Sequence, residues 1–258
     1  MTFQEKLDKI VKKNKSLVCV GLDQNQFLFN KKIIEATHDL VCSYKLNTAF
    51  YESIGYEGIN ALKDTCDYLV KKYPEIPIII DAKRGDIGNT NQGYVQFIFK
   101  YLGADAVTVH PYLGEEAIRP FLDCKDKGII ILCKTSNPGS DEFQNLYLVN
   151  DRGPDKKLLY QIVAENVAKK WNKNKNCMLV VGATYPDELK VVRKIVGDMT
   201  LLVPGIGAQG GDLEATLKVG LNSKKQGLII NSSRGIIFSQ NPRDEAMKLR
   251  NEINKLIV

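Results

Sequence analysis

Four isoleucines, Ile76 and Ile78 to Ile80, run straight into Asp81, Lys83, Arg84 and Asp86 within the stretch IPIIIDAKRGDIGNT (residues 76–90), with only Ala82 and Gly85 between the charges. Burying charge is costly unless it is paired, so a strand that ends this way is either a solvated turn or a place where fixed charge is the working tool. Residues two apart in an extended chain face the same side, which directs Asp81 and Lys83 together; Asp86 lies beyond a glycine turn and points elsewhere. If the strand of Lys45 neighbours that of Asp81, the three residues form an alternating array in which each charge supports the ionised form of the next.

Polar residues of the same kind stand after other apolar runs. Asp23 follows SLVCVGL, Lys45 and Asn47 close LVCSYKL, Ser136 follows GIIILCK, Gln209 lies in the loop after TLLVPG, and Arg234 follows GLIINSS. The stretch VPGIGAQGGD (203–212) offers glycine-freed backbone N–H groups and a helix start, and NSSRG (231–235) adds an arginine; such a pair suits an anionic phosphate. The letters G-x-G-x-x-G at Gly205, Gly207 and Gly210 do not indicate a dinucleotide, because Ile229, Ile230 and Asn231 stand where a ribose-binding acid is wanted. His110, in TVHPY, reads as a structural polar residue beside Pro111, and His38 as a helix-end residue; no H-x-H, H-E-x-x-H or carboxylate cluster indicates a metal.

The elements that must carry these side chains are eight short apolar runs, at 16–22, 40–46, 76–81, 104–110, 128–134, 177–183, 200–205 and 227–233. Stretches with helical period join them, such as Ile59, Leu62, Cys66, Leu69 and Val70, or Leu158, Leu159, Ile162, Val163 and Val167. Near-continuous apolar strands alternating with helices predict a parallel sheet covered on its outer face. Eight such units after an additional N-terminal helix (2–13) predict a single α/β domain over residues 1–258, a (β/α)8 TIM barrel whose site lies at the C-terminal ends of the strands; an open doubly wound sheet is the alternative. Thr135 to Asp155, rich in proline and glycine and without clear helical period, reads as a lid.

The 258 residues, 44% hydrophobic and 26% charged, have a globular composition. The net charge of +6 is concentrated in VKKNK (11–15) and KKWNKNKN (169–176), where helices end and lysine complements the dipole; these read as solvated surface rather than a nucleic-acid footprint. Six cysteines show no C-x-x-C pair, and four of them, at 19, 42, 133 and 177, lie in apolar runs, which indicates a reducing compartment and no zinc site. No apolar run approaches a membrane span and no secretory leader is evident, so a cytoplasmic protein is expected.

Taken in order, GLD (21–23), YKLN (44–47), DAKRGDIGNT (81–90), TSNPGS (135–140), PGIGAQGGD (204–212) and SSRG (232–235) resemble the orotidine 5′-monophosphate decarboxylase family over nearly the whole chain. The resemblance implies cofactor-independent conversion of orotidine 5′-monophosphate to UMP and CO2, without a metal, in a homodimer with shared active sites. On matching positions it implies that Lys45, Asp81 and Lys83 form the charged network, with Lys83 the proton donor. Asp86 and Thr90 would come from the neighbouring subunit. Asp23 and Asn47 would hold ribose hydroxyls, Ser136 the pyrimidine, and Gln209 with Arg234 the phosphate, with Pro204 completing the substrate-binding set. Association with an orotate phosphoribosyltransferase is a further partner arrangement that the resemblance admits.

Competing readings are a metal-dependent sugar-phosphate decarboxylase or synthase on the same barrel, a Schiff-base aldolase using Lys45, Lys83 or Lys134, and a non-catalytic nucleotide-phosphate-binding barrel. The first needs an acidic metal ligand where this chain has Lys45. The second needs an unprotonated lysine, which ion pairing opposes. The third leaves Asp81, Lys83 and Asp86 without a task.

Overall fold

A computed structural model describes residues 1–149, 156–206 and 210–257. The eight apolar runs become eight parallel strands: β1 (Val18–Gly21), β2 (Ser43–Asn47), β3 (Ile78–Arg84), β4 (Ala106–Val109), β5 (Gly128–Lys134), β6 (Cys177–Val181), β7 (Leu201–Pro204) and β8 (Leu228–Ser232). Each pairs with its sequence neighbours, and β1 pairs with β8 through Val18 and Ile230 as well as with β2 through Cys19 and Ser43, which closes the barrel. The fold is therefore the (β/α)8 barrel, and the open-sheet alternative is excluded.

The strands are apolar on both faces because both are covered. Inward residues fill the barrel and outward ones meet the helices, so Ile79, Ile80, Ile130, Ile131, Leu179 and Ile229 have no exposed surface. Removing such a side chain from water stabilises the fold by about 1.5–3 kcal/mol. All six cysteines are free and five are buried. Burial pushes the Cys19 thiol up to about 12, so it packs as a small hydrophobe.

The helix Phe3–Asn14 begins with a capping box in which Thr2 Oγ1 accepts from Glu5 N while Thr2 N donates to the Glu5 carboxylate. It lies across the N-terminal end of the barrel: Phe3 N donates to Asp126 O (2.8 Å) and Lys6 Nζ to Asp105 Oδ2 (2.7 Å), both residues preceding strands. Asn254, in the last helix Pro242–Leu256, donates to Lys15 O (2.9 Å), so both end regions of the chain meet at this pole, opposite the strand C-termini.

The stretch after β5, read in the sequence as a lid without helical period, holds short regular elements, and its residues 150–155 lie outside the described ones. A 3-10 turn (Pro138–Ser140), a short helix (Asp141–Gln144) and an antiparallel pair (Tyr147–Val149 with Lys156–Leu158) occupy its described part, adding two strands outside the barrel. These elements are three or four residues long, too short for a periodicity to register.

Candidate active site

The strand C-termini surround a cavity of about 940 Å3. Of the expected residues, Asp23, Lys45, Asn47, Asp81, Lys83, Ser136, Pro204 and Arg234 line it. Register brings the charged ones together: β2 and β3 pair Lys45 with Ile79 and Asn47 with Asp81, which sets the two strand ends level. Lys45 Nζ lies 3.1 Å from Asp81 Oδ2 and 3.9 Å from Asp23 Oδ1, and Lys83 Nζ lies 2.7 Å from Asp81 Oδ1. The alternating array of charges is thus formed within one chain, with Asp23 at its far end.

Asp81 and Lys83 do share a side, but not by simple strand alternation. Pairing between β3 and β4 shifts register between Ile80 and Arg84, and Lys83 has φ +47°, a left-handed conformation that costs an L-residue about 1–2 kcal/mol. The hydroxyl of Thr108 in β4 braces this bulge, donating to Asp81 Oδ1 (2.8 Å) and accepting from Lys83 N (3.0 Å). Thr108 also lines the cavity and is a site residue the sequence reading missed. Its one signal is a polar side chain inside the otherwise apolar strand AVTV.

Burial works against the Asp81 carboxylate, but the Lys45 and Lys83 ammonium groups and the hydrogen bonds from Lys83 and Thr108 outweigh it, holding its pKa well below the usual carboxylate range. Burial likewise opposes the Lys45 ammonium, and Asp81, then Asp23, overcome it, so its pKa rises above that of a free lysine. Both residues are ionised at neutral pH. Lys45 has 6% of its side chain exposed and Lys83 48%, so Lys83 is the ammonium that faces the open cavity.

Other positions differ in how freely they can act. The Asp23 Oδ1 atom is buried without a hydrogen-bond partner. Asn47 Oδ1 caps the helix Thr48–Glu52 by accepting from Ala49 N (3.2 Å), which leaves its NH2 group for the cavity. Ser136 is pressed against Gly182: a Cβ at that glycine would stand 2.8–3.0 Å from the Cβ, Cα and N of Ser136. Among the described residues, no side-chain hydrogen bond or ion pair engages the Arg234 guanidinium, and the residue is exposed at the cavity. Gln209 lies outside the described residues; the ends of its loop are joined by the bridge Ile206 to Gly211.

Asp86 and Thr90 do not line the cavity of their own chain. Both are exposed, and Asp86 Oδ1 accepts from Ile87 N (2.6 Å) while Asn91 Oδ1 accepts from Asp86 N (3.0 Å). Arg84 pairs with Glu52 and sits over the Tyr94 ring (5.0 Å to its centre), tying the bulge to the helix that follows β2. His110 is structural: its backbone N–H donates to Arg84 O (2.9 Å), and its ring packs so closely on Gly85 that no Cβ fits there. Among the described residues no group of three or more His, Cys, Asp or Glu is disposed to hold a metal ion, and no helix is long and apolar enough to cross a membrane.

Residues 16–249 match the sequence profile of the Orotidine 5′-phosphate decarboxylase / HUMPS family. The chain is 44% identical over 278 residues to the orotidine 5′-phosphate decarboxylase of Janthinobacterium sp. (strain Marseille), covering 100% of both chains. Among solved structures it resembles the OMP decarboxylase of Leishmania donovani (TM-score 0.91, 40% identity, 100% of this chain and 99% of that one). It also resembles the UMP synthase of Leishmania donovani (TM-score 0.92, 42% identity), of which it spans 57% while being covered completely itself.

Proposed function

The chain belongs to the orotidine 5′-phosphate decarboxylase / HUMPS family, and from that premise we infer that it converts orotidine 5′-monophosphate to UMP and CO2 by stabilising a carbanion at C6 of the pyrimidine with fixed charge. It is a decarboxylase of pyrimidine nucleotide synthesis. The observation that carries the mechanism is the array of Lys45, Asp81 and Lys83 at the cavity floor, with contacts of 3.1 and 2.7 Å.

Breaking the bond from C6 to the carboxylate releases CO2 and leaves its electron pair in an in-plane orbital with no conjugation to spread it. A preorganised ammonium beside C6 lowers the energy of that anion, and such electrostatics is often the largest catalytic term. In our reading Lys83 supplies it and then transfers a proton to C6, giving UMP and a neutral amine that solvent reprotonates through the open side of the cavity. Asp81 aims Lys83, while Lys45 keeps Asp81 ionised and in place. Repulsion between Asp81 and the departing carboxylate is the weaker explanation, since it raises the ground state rather than meeting the developing charge.

The remaining roles follow from what each residue has left to offer. Asp23 Oδ1, which has no hydrogen-bond partner beyond its 3.9 Å ion pair with Lys45, suits a ribose hydroxyl as donor, and the free NH2 of Asn47 a second one. Ser136 would address the pyrimidine. Arg234, with Pro204 and Gln209 of the preceding loop, would take the phosphate. Asp86 and Thr90, exposed and absent from the wall of their own cavity, suit the site of a second subunit, which makes the functional unit a homodimer of single-barrel chains with shared sites. The unmatched 43% of the UMP synthase leaves room for a further unit there, which supports association with an orotate phosphoribosyltransferase. Free, buried cysteines fit a reducing cytoplasm.

The Lys45 ammonium stands between the carboxylates of Asp23 and Asp81, where a shared divalent cation would have to sit. This disfavours the metal-dependent reading. The test is ultraviolet absorbance of orotidylate with the purified chain, with and without chelator: conversion to UMP at equal rates supports the mechanism, and loss of activity in chelator overturns it.

A further inference from the structure

Lys134, the last residue of β5, has none of its side chain exposed, yet it does not line the cavity. Its ammonium donates to Ser140 Oγ (3.0 Å), Asp141 Oδ1 (2.6 Å) and Asn145 Oδ1 (3.2 Å), and lies 4.3 Å from the centre of the Tyr185 ring. The Tyr185 hydroxyl in turn accepts from Ser140 Oγ (3.3 Å) and donates to Asn137 O (3.4 Å). Three side chains from one short segment therefore converge on one ammonium.

That segment, residues 135–146, contributes Thr135, Ser136, Asn137 and Gln144 to the cavity wall. Its apolar side chains do little to hold it, since Phe143 is 61% and Leu146 49% exposed. Ordering a dozen residues costs conformational entropy that some interaction must offset. Among the described residues, the Lys134 cluster is the main set of side-chain ties between the segment and the barrel; within the segment Thr135 N donates to Gln144 Oε1 (2.8 Å) and Gln144 Nε2 to Thr135 Oγ1 (2.9 Å), and at its end Leu146 O accepts from Leu159 N (2.9 Å).

We propose that Lys134 is a positioning residue for the decarboxylation: its buried ammonium clasps Ser140, Asp141 and Asn145 and so holds Ser136 and its neighbours at the mouth. The catalytic half of this statement rests on the functional reading above; the clasp itself does not. A lysine kept for packing alone is replaceable by methionine, which has a similar length without the charge. A lysine that organises the segment is replaceable only by another cation.

The test compares the full-length chain with Lys134→Met, Lys134→Arg and Asp141→Asn. Chymotrypsin cleavage at Phe143 is followed by mass spectrometry, thermal unfolding by circular dichroism, and turnover of orotidylate by absorbance. Lys134→Met is expected to speed cleavage at Phe143 and to lower kcat/KM about 10- to 100-fold, the size of losing charge-assisted hydrogen bonds, with unfolding of the barrel still cooperative. Lys134→Arg is expected to recover most of both. Wild-type cleavage and turnover in Lys134→Met, or no recovery in Lys134→Arg, overturns the proposal. Should Lys134→Met not fold, Asp141→Asn, whose side chain is 57% exposed, carries the same expectations. A wild-type chain that binds orotidylate without turning it over would defeat the functional reading and leave the cleavage arm to judge the clasp.

Discussion

Replacing Asp81 with asparagine keeps the shape of the site and removes the charge at its centre. Lys45 Nζ stands 3.1 Å from Asp81 and 3.9 Å from Asp23, separations worth roughly 5 and 4 kcal/mol of attraction at an effective dielectric of about 20. Asp81→Asn therefore takes away more than half of the support of a buried ammonium. The bond to Lys83 adds little, because that side chain is half exposed and screened. Leaving one member of a buried pair uncompensated costs about 3–5 kcal/mol, equivalent to a fall in Tm of about 6–20 °C for a chain of this size.

The pH dependence makes the test specific. In the wild type the folded pKa of Lys45 is raised, so its contribution to stability is fully present below about 10.4, the unfolded value, and is lost only as pH rises through the folded one. In Asp81→Asn burial prevails, the folded value falls below the unfolded one, and the penalty is relieved as pH rises. The gap in Tm between wild type and variant should thus narrow between pH 7 and pH 10, and Lys45→Met/Asp81→Asn should be more stable than Asp81→Asn alone. Scanning calorimetry of the three proteins across that range is the assay. A gap below 1 kcal/mol, or one that is constant or widens with pH, would refute the charge accounting.

Lys83→Gly and Lys83→Ala should both abolish turnover, but glycine should be the more stable by about 0.5–1 kcal/mol in urea unfolding, because only glycine accepts φ +47° without strain. Gly182→Ala should push Ser136 off its place and lower kcat/KM at least about tenfold while costing about 1–3 kcal/mol of stability; unchanged kinetics would remove Ser136 from the site. Arg234→Ala should lower kcat as well as raise KM for orotidylate, and a change in KM alone would mean that phosphate binding does not assist the chemical step. Mixing inactive Lys83→Ala and Asp86→Ala chains should restore part of the activity, since one of the two sites in a hybrid dimer holds both native residues; no recovery after confirmed subunit exchange would assign Asp86 to its own chain.

The barrel was legible because parallel strands covered on both faces must be apolar throughout, and runs such as IPIII and GIIIL have few other homes. Lys45, Asp81 and Lys83 were legible because charge at the end of such a strand demands partners. What escaped notice is instructive in kind. A threonine is an ordinary strand residue, so the single polar letter in AVTV is too weak a signal to announce the two bonds of Thr108 to the bulge at Asp81 and Lys83. The left-handed backbone at Lys83 is invisible because glycine, its usual marker, is absent. Lys134 stood in the sequence only as one of three lysines for an aldolase, and its burial against Asp141, Asn145 and Tyr185 was not legible because their approach is a matter of tertiary packing. Of the helical stripe Leu158, Leu159, Ile162, Val163 and Val167, only Val167 is fully buried, beside Tyr160 and Ala164, while the other four are half-buried.

The meeting of Phe3–Asn14 with Asn254 beneath the strands has a practical side. A tag, a surface anchor or a fused enzyme joined near residue 1 or residue 257 would hang from the sealed floor of the barrel, leaving the opening where nucleotide enters facing away from it. Immobilised through either end, the protein should keep its access to dissolved substrate, and a partner fused there could pass material to it only through bulk solution or by folding back around the rim.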